Sequence, residues 1–190
     1  MDAVCASDYL GRAPALAGKL VKELGARGKT IAAAESCTAG LASDFIVRVP
    51  GASAVFWGAF VTYTADAKSV MLGVPGKLIK KYGEVSRPVA LAMAEGALEK
   101  SGACWAFSVT GLAGPGGESP KTPSGVQTPQ GVPVGTVWIG VAGRDGKLKN
   151  ALRSDARMFL FNGSRNEVRE AAAAAALEEL LNRIIQYNRS

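Results

Sequence analysis

A run of small apolar residues, Ala32-Ala33-Ala34-Glu35, ends in Ser36, and Cys37-Thr38-Ala39-Gly40 follow at once. This composition places a hydroxyl at a strand-to-helix turn, beside the free backbone N–H groups of a new helix. Such N–H groups suit an anion, or an oxyanion as it develops. The chain contains no histidine, so a Ser-His-Asp arrangement is excluded and a nucleophilic Ser36 needs a lysine, tyrosine or carboxylate as its base. Helix capping is the commoner use of such a serine. The small residues at 37–40, with Thr38 and Gly40 among them, leave an open space that capping does not require. Cys37 is a rival nucleophile, because a helix N-terminus favours a thiolate, and it ranks below Ser36 because small buried cysteines are common.

Tyr63 and Lys68 lie five residues apart, across the junction between an aromatic strand and the next helix. A strand end and a first helical turn can aim both side chains into one cleft. Lysine acts as a base only when neutral, which asks for burial or a nearby cation. A third group is the glycine-rich loop from Thr110 to Gly117, with Gly111 and Gly114, at the end of a strand where α/β sheets bind ligands. Its spacing is neither that of a Walker loop nor that of the dinucleotide fingerprint. Arg165 and Arg169 share a face at the start of the last helix, where they serve either as solvated ion-pair partners or as holders of a phosphate.

The chain has 190 residues, 48% of them hydrophobic, enough for one good core and too few for two ordinary domains. The net charge of +6 comes from scattered basic residues that are not interleaved with aromatics, which argues against a nucleic-acid groove and for an anionic small ligand. Cys5, Cys37 and Cys104 form neither a disulfide framework nor a zinc pattern. With no signal peptide and no apolar run of membrane length, the expectation is a reduced, cytoplasmic protein away from membranes.

The elements that must position these residues follow from periodicity and punctuation. Residues 7–26 read as an amphipathic helix capped by Ser7 or Asp8, residues 29–35 as a buried strand, and Ser36 as the start of a helix to about Val49. Residues 54–63 carry the richest strand signal, followed by helices near 64–68, 75–82 and 86–101, the last with Ser86 as its hydroxyl cap. Strands at 104–110, 136–142 and 148–161 and a closing alanine-rich helix complete the chain, with a long polar loop at 117–133 and a hairpin turn at Arg144-Asp145-Gly146. The order predicts one α/β domain over residues 1–190, a three-layer α/β/α sandwich on a mixed, mostly parallel sheet.

Five ordered blocks carry a resemblance: residues 34–40, residues 60–63 with Lys68, residues 83–86, residues 108–115 and residues 134–138. Together they resemble the CinA C-terminal domain family, whose members of known activity are nicotinamide-nucleotide amidohydrolases. The resemblance covers about residues 8–185. It implies an α/β/α sandwich and hydrolysis of the carboxamide of nicotinamide mononucleotide to nicotinate mononucleotide and ammonia. It further implies Ser36 as nucleophile with Lys68 and Tyr63 as its activating pair. With no histidine and no cysteine cluster, no metal is expected; no cofactor and a homo-oligomer are the further expectations. Cys37, Thr38, Gly40, Thr110, Gly111, Gly114, Arg165 and Arg169 are the expected substrate-binding residues. The family's Gly-Asp-Arg is here Gly163-Ser164-Arg165. A non-catalytic pyridine-nucleotide-binding module of the same fold is the alternative, and an accessory role in DNA uptake rests only on the family's historical link to competence.

Overall fold

The computed structural model describes residues 4–115, 132–144 and 152–187. The expected loop at 117–133 and hairpin turn at 144–146 fall mostly outside these residues. The strands are β1 (Val4–Cys5), β2 (Ile31–Glu35), β3 (Phe56–Val61), β4 (Trp105–Gly111), β5 (Thr136–Arg144) and β6 (Leu152–Asn162). The helices are α1 (Ala13–Gly25), α2 (Leu41–Val47), α3 (Ala65–Leu72), α4 (Gly76–Tyr82), α5 (Arg87–Ser101) and α6 (Arg165–Tyr187). The sheet order is β1-β6-β5-β4-β2-β3; β2 runs parallel to β3 and β4, β1 parallel to β6, and β5 antiparallel to both neighbours. This is the expected mixed α/β/α sandwich.

Strand β2 is buried on both faces, so its residues alternate between two cores. Ile31 and Ala33 join α1, α2 and α6, whereas Ala32 and Ala34 join α3, α4 and α5. The buried run Ala171 to Ala176 lets α6 lie close to the sheet. On the other face a Cβ at Gly140 would stand 2.6 Å from the Ala90 carbonyl oxygen, so glycine is what lets α5 approach β5.

Two expected helix starts are corrected. Helix α1 begins at Ala13, not near residue 7, because Gly11 takes a left-handed φ of 73° and Pro14 sits in the first turn. Neither Ser7 nor Asp8 caps it; residues 6–8 form a short 3-10 turn. Helix α2 begins at Leu41, because Ala39 and Gly40 are both left-handed, with φ of 51° and 95°. Ser86 does precede α5, but its hydroxyl donates back to the Gly83 carbonyl (2.9 Å) instead of capping the helix. No helix among the described residues is long and apolar enough to cross a membrane.

Candidate active site

Ser36 follows the last residue of β2, and its own N–H donates to the Val109 carbonyl (2.9 Å), which fixes it beside β4. Lys68 comes from the next crossover. Thr64 caps α3 by accepting the Ala67 N–H (3.2 Å), and Lys68 one residue on is wholly buried. Its Nζ donates to Ser36 Oγ (3.1 Å), to the Thr62 carbonyl (3.1 Å) and to Glu84 Oε2 (2.9 Å). These three acceptors use all three N–H bonds of an ammonium. Glu84 sits between α4 and α5, and Thr110 Oγ1 donates to its backbone carbonyl (2.9 Å). Hydroxyl, cation and carboxylate therefore meet from two crossovers of the sheet, Ser36 from the one between β2 and β3, and Lys68 and Glu84 from the one between β3 and β4.

The turn after Ser36 is organised from beneath by Glu35. This fully buried carboxylate accepts the N–H groups of Gly40 (2.9 Å), Ala42 (3.1 Å) and Ser43 (2.9 Å), and also the Ser43 hydroxyl. The N-terminus of α2 is thus occupied by a side chain of the protein itself. It also holds the left-handed pair Ala39-Gly40, a conformation costly for alanine and tolerated where surrounding contacts over-determine it.

Arg169 grips the same turn from α6, donating through Nε to the Cys37 carbonyl and through Nη2 to the Thr38 carbonyl, both at 3.1 Å. A trans peptide holds its N–H opposite its C=O, so this grip also sets the direction of the Thr38 N–H. Among the described residues, the N–H groups of Cys37 and Thr38 donate to no other residue.

A cleft of about 250 Å³ opens above these groups, lined by Ser36, Cys37, Lys68, Glu84, Tyr63 and Arg165 and by residues 110–114. Tyr63 is 55% exposed, and its Oη accepts from Arg165 Nη2 (3.0 Å), not from Lys68. Arg165 Nη1 donates to the Gly114 carbonyl (2.6 Å), so the arginine bridges the tyrosine and the glycine loop at the rim. Where the family pattern carries an acidic residue, Ser164 donates its N–H to the Glu167 carboxylate (2.7 Å), one half of a capping box. A larger cleft of about 430 Å³, bounded by Trp105, Arg183 and Tyr187, lies at the other end of the sheet and lacks this Ser–Lys–Glu array.

A model described as the CinA C-terminal domain matches residues 13–184. The chain belongs to the CinA C-terminal domain family. It is 43% identical over 176 residues to a competence-damage inducible protein of Symbiobacterium thermophilum, covering 92% of this chain and 38% of that one. It is 46% identical over 151 residues to a CinA-like protein of Akkermansia muciniphila, covering 80% and 33%. The chain thus spans well under half the length of these relatives. The crystal structure of the competence/damage inducible protein CihA from Agrobacterium tumefaciens superposes with a TM-score of 0.78 at 37% identity, over 95% of this chain and 98% of that one. A CinA superfamily protein from Escherichia coli gives 0.78 at 30% identity, over 90% of each.

Of the expected site residues, Ser36, Cys37, Tyr63, Lys68, Thr110, Gly111, Gly114 and Arg165 line the one cleft, whereas Thr38, Gly40 and Arg169 do not line it and belong to the turn beneath and its support. Ser36 and Lys68 touch; Tyr63 and Arg165 form the rim. Thr110 positions Glu84, and Gly40 is held by Glu35. Glu35 and Glu84 lie inside the recognisable blocks, yet their sequence carries no sign of what they bind. Each is an acidic residue beside residues read as buried or catalytic, and that is the signal that could have found them.

The thiol of Cys37 is buried, in keeping with its lower rank as a nucleophile. Burial outweighs the nearby Lys68 charge and pushes its pKa from 9.0 up to about 12. The folded protein holds the thiol proton to a higher pH than the unfolded chain does. Its contribution to stability is therefore full below pH 9 and is lost as pH rises from 9 toward 12. At pH 8 only roughly one Cys37 in ten thousand is thiolate. Iodoacetamide at that pH is expected to alkylate exposed Cys5 and to reach Cys37 only after denaturation; rapid labelling of Cys37 in the folded protein would restore it as a nucleophile.

Proposed function

We propose that the chain hydrolyses the carboxamide of nicotinamide mononucleotide, giving nicotinate mononucleotide and ammonia, through an acyl-enzyme on Ser36. The observation that carries this reading is the buried Lys68 ammonium, which joins Ser36 Oγ to a carboxylate at one point of an open cleft. A structural lysine needs neither a serine hydroxyl nor a cleft. Glu84 supplies the step that the serine and lysine lack alone. When Glu84 accepts a proton from Nζ, the amine gains a lone pair directed at Ser36, and it takes the hydroxyl proton as Oγ attacks the amide carbon.

The developing oxyanion is received by the Cys37 and Thr38 N–H groups, since Glu35 occupies the helix terminus itself. The lysine proton then goes to the departing nitrogen, ammonia leaves, and water enters by the reverse sequence to release the acid. Arg165 at the rim faces the nucleotide phosphate, while Arg169, engaged with two carbonyls, positions the turn. The reaction needs no group beyond these side chains and water.

Ser36→Ala is expected to lower ammonia release from nicotinamide mononucleotide by several orders of magnitude, while the nucleotide still binds. Substantial turnover by Ser36→Ala would contradict the mechanism. Wild-type binding without ammonia release would identify a nucleotide-binding module, and neither binding nor release would leave a role outside pyridine nucleotides. Arg165→Ala should raise the KM for the mononucleotide far more than that for free nicotinamide, because only the former carries a phosphate. Steady-state kinetics on both amides checks this, and equal effects would remove the phosphate from Arg165.

A further inference from the structure

Glu84 presents two oxygens, and the lysine uses one of them. Oε2 accepts from Lys68 Nζ (2.9 Å), whose other two N–H bonds go to Ser36 and Thr62. Oε1 accepts from no described residue. Among the described residues, the buried side-chain oxygens without a partner are Thr38 Oγ1 and Thr62 Oγ1. Oε1 is therefore not buried, and it belongs to a residue that lines the cleft. The backbone around it is pinned: the Ser86 hydroxyl donates to the Gly83 carbonyl and the Thr110 hydroxyl to the Glu84 carbonyl, each at 2.9 Å. A counter-ion for Lys68 requires neither this fixation nor a second oxygen open to the cleft. The other charged side chains that line it among the described residues, Lys68 and Arg165, only donate.

Resting on the amide hydrolysis assigned to this cleft, we propose that Glu84 Oε1 accepts an N–H of the substrate carboxamide. Glu84 is then the residue that selects an amide over an ester or an acid. With the carbonyl oxygen at the Cys37 and Thr38 N–H groups, the amide nitrogen comes near Lys68 Nζ to receive its proton. In a planar amide one N–H points away from the carbonyl oxygen. That hydrogen is directed past Nζ, toward Glu84. An ester places an oxygen lone pair there and leaves two acceptors facing each other. The acid product sets a carboxylate against a carboxylate, so it is held less firmly and departs. A site built around a substrate N–H rejects the analogue that lacks it far more strongly than a hydrophobic pocket rejects a change of size. One carboxylate thus serves the lysine through Oε2 and the substrate through Oε1.

The test uses two ligands of one shape, the N-methyl amide of nicotinamide mononucleotide and the methyl ester of nicotinate mononucleotide. They differ by an N–H in place of an oxygen, and each is titrated calorimetrically into the intact Ser36→Ala chain. The ester should bind about tenfold or more weakly than the amide. Nicotinate mononucleotide should likewise bind more weakly than nicotinamide mononucleotide. In Ser36→Ala/Glu84→Gln both gaps should close, because the glutamine NH2 can donate to an ester or acid oxygen. Equal affinities for amide and ester in Ser36→Ala overturn the proposal, as does an undiminished gap in a folded Ser36→Ala/Glu84→Gln. If that double variant does not fold, the amide and ester affinities of Ser36→Ala decide alone. Ammonia release by the wild type with amide and ester bound alike removes recognition by Glu84 and leaves the hydrolysis standing. No binding and no ammonia would remove both.

Discussion

An ammonium removed from water must find three acceptors, and Lys68 finds them in three separate stretches of the chain. Ser36 follows β2, Thr62 follows β3, and Glu84 joins α4 to α5. Breaking a buried ion pair by removing one partner typically costs about 3–5 kcal/mol, because the remaining charge is left uncompensated. The three stretches are thus tied together by one cation. The same contact that orders the local fold places the lysine nitrogen 3.1 Å from a hydroxyl. Structure and chemistry at this point are one requirement.

The sheet order makes that meeting available. With β2 between β3 and β4, all three parallel, their C-terminal ends open on the same side, and the loops that follow them surround one cleft. Helix α6 closes the opposite side. Arg169 sends its guanidinium to the serine turn from more than a hundred residues away, while Arg165, one turn earlier, stays at the rim. The turn is held between a buried carboxylate below and a guanidinium above, so its strained left-handed pair has little freedom to relax. Rigid support of this kind is what preorganised N–H donors need.

Much of this was legible in the sequence because it depended on local pattern. The alternation of strands and helices gave the layers, and the strand-to-helix junctions gave Ser36 and Lys68. The starts of α1 and α2 were misplaced for one reason: left-handed residues, Gly11 before α1 and Ala39-Gly40 before α2, interrupt a helical pattern that composition alone continues. The partners of the acidic residues were not legible either. Glu35 reaches forward only a few residues, but into a turn whose shape had to be known first. Glu84 meets Lys68 across sixteen residues that fold as two helices. Cys37 was legible in part: its place near a helix start allowed a thiolate, while small cysteines are commonly buried, and burial does keep it a thiol.

The central claim is that Ser36 carries the acyl group in turn with water, and partitioning with hydroxylamine tests it most directly. Nicotinamide mononucleotide and its N-methyl amide, hydrolysed separately in the presence of hydroxylamine, should each yield the hydroxamate alongside nicotinate mononucleotide. A shared acyl-enzyme makes the ratio of the two products identical for both amides, although their leaving groups differ, and Ser36→Ala should form neither product. Turnover of both amides with no hydroxamate, or product ratios that follow the leaving amine, would show that water attacks the amide directly and would contradict the account.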